Sequence, residues 1–331
     1  MKPVAKRIAE IVAAFPRARI AVAGDFMTDI YLEAEPQRLS REAPVMIASW
    51  RGETSIPGGA ANAVNNLLAL GAAVHPVGIL GDDAAGLMLS AFFRDRGLQA
   101  EGVVVQPGLG TVSKTRVMLG EEGRMRQQVL RIDREPNGEI LPATRRALAA
   151  RFEGVLDAVD AVLFSDYGYQ TVDGSLRAAA TKAPVLVAAD SRYALRDFRG
   201  VDVVTPNGAE ASELLGRRVY RDDEVLAAAR QLRDELDLPR VVITRGNQGM
   251  LLLDEDEPPL FLPAAGPADE VTDVSGAGDT VIALLTLARV AGASWAEAAW
   301  LANVGAGVVV TKLGAATLSP EELVRAATRE A

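Results

Sequence analysis

A chain of 331 residues with 49% hydrophobic and 24% charged side chains has enough apolar material for one large core and reads as a globular protein. The absence of cysteine excludes disulfides, thiolate metal sites and cysteine nucleophiles, and a single histidine, His75, leaves no imidazole cluster for a metal or a triad. A net charge of −9 without a long Lys/Arg run speaks against nucleic acid as a partner; no apolar run reaches the roughly 18 residues of a membrane helix, and the charged N-terminus lacks a signal-peptide block, so a cytoplasmic address is expected.

Along the chain, β-branched runs at 19–24, 74–80, 161–166, 185–190, 201–207 and 240–246 alternate with amphipathic segments at 83–97, 142–157, 171–182 and 222–236. This alternation predicts an α/β fold with a doubly wound, mostly parallel sheet covered on both faces. Open sheets of this kind bind ligands at the carboxyl ends of their strands, and the predicted strands end in Asp25, Asp166, Asp190, Asn207 and Thr244. Two regions, 29–57 and 109–133, carry extended segments ("APVMIASW", "TVSKTRVML", "MRQQVLRID") without intervening helices. They predict a small antiparallel β lid, a surface hairpin insertion being the plainer alternative. No repeat or linker marks a boundary, so residues 1–331 are expected to form a single domain with the lid inserted in it.

Four polar or glycine-rich stretches lie at predicted strand ends or helix starts. "IPGGAANAVNNLLALG" puts Gly58 and Gly59 before a helix and Asn62 in its first turn, which suits ligand approach and tight helix packing equally. "TPNGAEASEL" spaces Asn207 and Glu210 three apart, either to face a hydrated magnesium ion or its phosphate ligand, or as a plain cap with a first-turn acid. "TRGNQG" offers Thr244 and Gly246 to a phosphate, or a simple turn. "VTDVSGAGDT" opens an apolar helix ending near Gly292: its bare turn leaves helix amides and the positive dipole end free for an anion, with Asp279 either satisfying the dipole or acting as a general base.

The motifs "GDFMTD" 24–29, "PGGAAN" 57–62, "NGAE" 207–210, "TRG" 244–246 and "DVSGAGD" 273–279, in that order and spanning nearly the whole chain, resemble those of the ribokinase/PfkB-family carbohydrate kinases. Within that family the chain is most similar to the heptose 7-phosphate kinases, through "SREAPV" 40–45, "TRGNQGM" 244–250 and "GVVVTKLGAATLSPEEL" 307–323. The resemblance implies a ribokinase-like fold, ATP and magnesium as cofactors with room for a monovalent cation, and γ-phosphoryl transfer to a sugar hydroxyl, above all the anomeric hydroxyl of heptose 7-phosphate. It assigns Asp279 as base, the backbone of Gly276, Ala277 and Gly278 as anion hole, and Asp29, Gly58, Gly59, Asn62 and Asp166, with Lys114 on the lid, to the sugar. Asn207 and Glu210 would organise magnesium and the ATP phosphates, Thr244 and Gly246 would touch the phosphates, and Asn303 in "LANVGAG" would border the adenine. The length suits a kinase without a fused nucleotidyltransferase.

The chain departs from that pattern at Tyr169 in "DYGYQT", where a lysine is usual, at "DSRY" in place of DPKG, leaving Arg192 as its basic residue, and at Arg41 in place of a proline. Arg41, Lys114, Arg116, Arg124, Arg126 and Arg131 put positive charge around the lid, for a phosphorylated sugar or simply for solvent. A kinase for another sugar or sugar phosphate and a catalytically silent sugar-binding regulator remain the alternatives; a Rossmann oxidoreductase does not, because "VAGDFM" stands where G-x-G-x-x-G would. An apolar lid face containing Val45, Ile47, Val117 and Val129 would need a cover, which predicts a homodimer through the lid. Trp50, Trp295 and Trp300 are expected to be packing residues.

Overall fold

The computed structural model describes residues 3–98, 100–121, 126–266 and 271–331. After helix α1 (Ala5–Ala14), strand β1 (Arg19–Gly24) runs through Asp25 straight into β2 (Phe26–Leu39), which folds back as β3 (Met46–Gly59) and continues directly into α2 (Ala60–Ala69). The chain then adds β4 (Ala73–Gly81), α3 (Ala84–Asp95) and β5 (Gly102–Gln106), and leaves again as the hairpin β6 (Val112–Leu119) and β7 (Gln127–Arg134). Helix α4 (Pro142–Leu156) leads to β8 (Ala161–Asp166), α5 (Gly174–Lys182), β9 (Leu186–Ser191) and β10 (Val203–Val204). Helices α6 (Gly208–Leu215) and α7 (Asp222–Leu236) precede β11 (Arg240–Thr244), β12 (Met250–Asp254) and β13 (Leu260–Leu262), and α8 (Ala277–Val290), α9 (Trp295–Val309) and α10 (Pro320–Glu330) complete the described chain.

The main sheet has the order β13-β12-β11-β10-β9-β8-β1-β4-β5, parallel from β5 to β11 and antiparallel at β12 and β13. Its strands alternate between two cores. Ile20 and Val22 face one side and Ala21 and Ala23 the other; Leu163 and Val242 join the first group, Val162, Phe164, Val241 and Ile243 the second. The first core is closed by α1, α2, α8 and α9, the second by α4, α5 and α7, so the sheet is buried on both faces and its strands are apolar throughout. Phe152, Phe164 and Phe198 stack at ring distances of 6.1 and 5.6 Å in the second core. From β1 the chain first builds outward to β4 and β5, then returns to place β8 on the other flank of β1. The order therefore reverses between β1 and β8, where a crevice opens at the strands' carboxyl ends.

The lid is a four-stranded sheet, β3-β2-β6-β7. It corrects the expectation of a purely antiparallel lid: each hairpin is antiparallel, but β2 and β6 pair in parallel, Asp29 beside Lys114 and Tyr31 beside Arg116. The reason is connectivity. Both hairpins leave the main sheet from the same end, after β1 and after β5, so their first strands run side by side in one direction.

Two smaller expectations change. The run 201–207 gives only a two-residue strand, because Pro206 has no N–H to donate and Asn207 turns to cap α6. Trp50 is 66% exposed on the lid, whereas Trp295 and Trp300 are buried as expected. Among the described residues no helix is long and apolar enough to cross a membrane.

Candidate active site

The crevice at the sheet reversal holds a cavity of about 150 Å³ lined by Asp166, Tyr167, Asp190, Arg192, Thr205, Asn207, Glu210, Thr244, Gly276, Gly278 and Asp279. Seven of the residues assigned a role in the site from sequence (Asp166, Asn207, Glu210, Thr244, Gly276, Gly278 and Asp279) thus meet at one place, brought there from the ends of β8 and β11, the first turn of α6 and the start of α8. The α8 start is shaped by Gly276, which adopts φ +77°; a β-carbon there would lie 2.6 Å from Asn62 Nδ2. Gly58 is equally confined, since its β-carbon would lie 2.7 Å from Asp29 Oδ2.

Asp279 is held from two sides. Asn62 Nδ2 donates to its Oδ2 at 2.8 Å and the Tyr167 hydroxyl donates to its Oδ1 at 2.9 Å. Asn66 in turn steadies Asn62 by donating to its backbone oxygen and its Oδ1, and Thr280 donates to Asn66 Oδ1. Burial pushes the Asp279 carboxyl from 3.8 to about 6; the hydrogen bonds from Asn62 and Tyr167 pull against it, as does Lys114, while Asp29 adds to the rise. A carboxylate that is ionised at neutral pH yet nearer to neutrality than a surface aspartate is suited to accept a proton. Ala277 behaves differently from the expected anion-hole member: its N–H turns back to the Val274 carbonyl at 3.3 Å, and it does not line the cavity, whereas Gly276 and Gly278 do.

On the opposite wall Asn207 and Glu210 form a reciprocal capping box. Asn207 Oδ1 accepts from the N–H groups of Ala209 and Glu210, and Glu210 Oε2 accepts from the Asn207 N–H. Burial raises the Glu210 carboxyl, with Asn207 and Arg192 opposing. Asp190 is pushed well above its ordinary value by burial and then by Glu210, Asp279 and Asp166. Among the described residues no three such side chains converge as a metal cage. The oxygen donors of Asn207 and Glu210 fit a hydrated magnesium ion met through water or phosphate. Asp166 accepts from the Ser191 hydroxyl at 2.7 Å and from the Gly168 N–H at 3.0 Å, which fixes the end of β8.

Thr244 also borders a neighbouring cavity of about 410 Å³ that it shares with Asn207, Arg218, Tyr220, Arg245 and Gly246. Asn303 lines a different, more apolar one of about 270 Å³ with Phe261, Ala265 and Trp300, and donates to the Pro263 carbonyl at 2.7 Å. The lid contributes Asp29, which accepts from Arg116 at 2.6 Å, and Lys114, whose ammonium lies 5.1 Å above the Tyr167 ring. Burial lowers the Lys114 ammonium while Asp29 opposes. Of the other lid arginines, Arg126 pairs with Glu33 and Arg131 with Asp133; Arg41 is exposed, and Arg124 lies outside the described residues.

Tyr167, Asp190 and Thr205 line the site without a role assigned from sequence: Asp190 reads there only as a strand end, Tyr167 only as part of the unusual "DYGYQT", and nothing in the sequence singles out Thr205. Tyr169, at the position of the absent lysine, faces a separate cavity of about 510 Å³ with Asp25, Glu135 and Glu139.

The family described as pfkB family carbohydrate kinase matches residues 17–322. Proteins named "Bifunctional protein HldE" are similar along most of the chain: that of Desulfatibacillum aliphaticivorans is 38% identical over 94% of this chain and 63% of its own length, that of Azotobacter vinelandii 40% over 96% and 65%. The chain thus spans less than two thirds of these relatives. Among solved structures, Arabidopsis thaliana ribokinase complexed with ribose and ATP superposes with a TM-score of 0.71 at 20% identity, covering 94% of this chain and 98% of the other. Phosphofructokinase-2 from Escherichia coli in complex with potassium gives 0.75 at 19% identity with the same coverage. The fold is ribokinase-like, and this chain belongs to the pfkB family of carbohydrate kinases.

Proposed function

We propose that this kinase transfers the γ-phosphoryl group of ATP to a sugar hydroxyl, with Asp279 as the general base. The observation that carries the reading is the Asp279 carboxylate itself: buried at the start of α8, fixed through both oxygens, raised to about 6, and facing the cavity that Asn207, Glu210 and Thr244 close from the other side. Asp279 takes the proton of the attacking hydroxyl, while Gly276 and Gly278 leave the helix start open to the phosphoryl oxygens. Asn207 and Glu210 would hold magnesium through water or phosphate, and when bound that ion neutralises phosphate charge beside the acids of the wall. Phosphoryl transfer depends chiefly on such positioning and charge neutralisation. Asp29, Gly58, Gly59 and Asn62 orient the sugar, Thr244 and Gly246 meet phosphates, and Asn303 borders the base of the nucleotide.

The acceptor we assign is the anomeric hydroxyl of heptose 7-phosphate. Support comes from the motifs shared with heptose 7-phosphate kinases, from the HldE relatives, and from Lys114, which has no ion-pair partner among the described residues and lies over Tyr167 beside the base. ADP release across heptose 7-phosphate, free heptose, fructose 6-phosphate, fructose and ribose tests it. The expected order puts heptose 7-phosphate first by at least tenfold in kcat/KM; a preferred free sugar would remove the heptose phosphate and leave the kinase. The exposed Trp50, Leu130 and Ile132 on the lid further support a homodimer through the lid, to be checked by light scattering at micromolar concentration.

A further inference from the structure

Tyr167 sits between the base and the loop that follows β8. Its hydroxyl meets Asp279 Oδ1, and its backbone N–H donates to Asp25 Oδ2 at 2.8 Å. Asp25 also accepts from the N–H groups of Tyr169 at 3.0 Å and Thr171 at 3.2 Å, so one buried carboxylate gathers three successive alternate amides of the loop. The backbone conformation shows how tightly the loop is wound: Gly168 lies at φ +83°, and Gln170, a residue with a β-carbon, at φ +66°. Asp25 immediately follows β1, so the loop is tied to the centre of the main sheet. Above the ring, the Lys114 ammonium lies against its face. The residue is thus anchored through its backbone by Asp25 and covered on one ring face by Lys114, with its hydroxyl on the base.

We propose that Tyr167 is a positioning residue of the phosphoryl-transfer reaction, its Asp25-anchored phenol holding the Asp279 carboxylate in the orientation in which it receives the proton. The inference rests on the reading of Asp279 as general base. Two donors on two oxygens leave the carboxylate no rotation about its last bond without losing one of them, and both donors favour its ionised form. The charged groups facing Asp279 are Asp29 and Lys114 from the lid and Asp190 from the end of β9, with the Asn62 amide from α2. Tyr167 itself is kept a donor, because burial and then Asp279 and Asp190 hold its hydroxyl well above its ordinary value. Deleting the hydroxyl removes a hydrogen bond that favours the anion, so the Asp279 carboxyl must rise.

The test is Tyr167→Phe, which keeps the ring, its packing and the loop, with Asp279→Asn as reference. In the ligand-free chain, carbon-13 carboxyl titration, with the Asp279 signal assigned by its loss in Asp279→Asn, should show the midpoint moving up by roughly one pH unit in Tyr167→Phe. The acid limb of kcat/KM for ADP release, measured with the best acceptor of the panel above, should move by the same amount, and kcat at its plateau should fall about tenfold, with the KM for ATP within twofold of wild type. If Asp279→Asn is inactive and Tyr167→Phe leaves midpoint, acid limb and plateau at wild-type values, Tyr167 is a packing residue and the proposal is overturned while the base assignment stands. If Asp279→Asn keeps near-normal turnover, the base assignment fails first, and the proposal with it.

Discussion

The two walls of the site handle charge in opposite ways. On the sheet edge Asp166, Asp190, Glu210 and Asp279 line one small cavity with Arg192 as the accompanying cation; burial raises Asp190, Glu210 and Asp279, and the neighbouring acids Glu210, Asp279 and Asp166 raise Asp190 further. On the lid three acids are each paired with an arginine: Asp29 with Arg116 at 2.6 Å, Glu33 with Arg126 at 2.8 Å, Asp133 with Arg131 at 2.7 Å. A wall with excess negative charge does not receive a polyphosphate unless cations come with it. The paired arginines of the lid receive an anion only by exchanging partners, whereas Lys114 has no ion pair among the described residues to give up. The cost of exchange differs along the lid: Arg131–Asp133 is half exposed and worth about 1 kcal/mol or less, whereas Arg116–Asp29, with side chains 13% and 9% exposed, is strongly held.

Removing divalent cations is the most severe way to break this contrast. Full chelation should bring turnover to background, and Glu210→Gln should raise the magnesium concentration needed for half-maximal rate several-fold while leaving the melting temperature nearly unchanged, since glutamine also completes a capping box. Turnover that survives chelation would sink the assignment of Asn207 and Glu210.

Asp279→Asn comes next, with kcat expected to fall 10²- to 10⁴-fold and nucleotide affinity kept, as read by isothermal calorimetry. The same variant has a stability signature. A carboxyl whose folded value lies above its unfolded one gives its full stability below the unfolded value and loses it as pH rises through the folded one, here between 3.8 and about 6. The melting temperature of Asp279→Asn relative to wild type should therefore be higher at pH 8 than at pH 4. For wild type, the base must be ionised, so activity should climb through about pH 6.

The smallest effects sharpen the lid side. Lys114→Met should lower kcat/KM for a phosphorylated acceptor about 10- to 100-fold and that for the free sugar much less. Arg131→Ala, which gives up an exposed pair, should change the phosphorylated acceptor no more than a few-fold. Equal losses in the two variants would mean that the lid acts as one charged surface and that the burial contrast between its pairs has no functional weight.

What could be read from the sequence divides along the same line. The sheet edge is legible because its rules are local: period-two apolar strands, glycines where a turn admits no β-carbon, and polar residues at strand ends predict the crevice and place Asn207, Glu210, Thr244, Gly276 and Asp279 around it. Asn207 and Glu210 form the plain cap and line the cavity as well, and a cap with its acid in the first turn is the same sequence pattern in either case. Contacts across long separations are not legible. Tyr167 and Asp279 are 112 residues apart and Arg116 and Asp29 are 87 apart, and no periodicity ties either pair together. The parallel joint between β2 and β6 likewise depends on where two excursions leave the main sheet, which residue patterns within each hairpin do not encode.

The first hairpin has no loop at either root. β1 passes into β2 with only Asp25 between them, β3 passes into α2 at Gly59, and the Ala60 N–H donates to the Asp25 carbonyl at 3.1 Å, pinning the two roots to each other. Asp29 lies a few residues out along β2, and Asn62, in the first turn of α2, donates to the Asp279 carboxylate. The lid strand and the residue that holds the base thus share one covalent junction at Gly59, with no linker between them. Insertions at the far turn, between Leu39 and Met46, lengthen only the free end of the hairpin, while a single residue inserted at Asp25 or Gly59 would shift the lid register against α2 and the base.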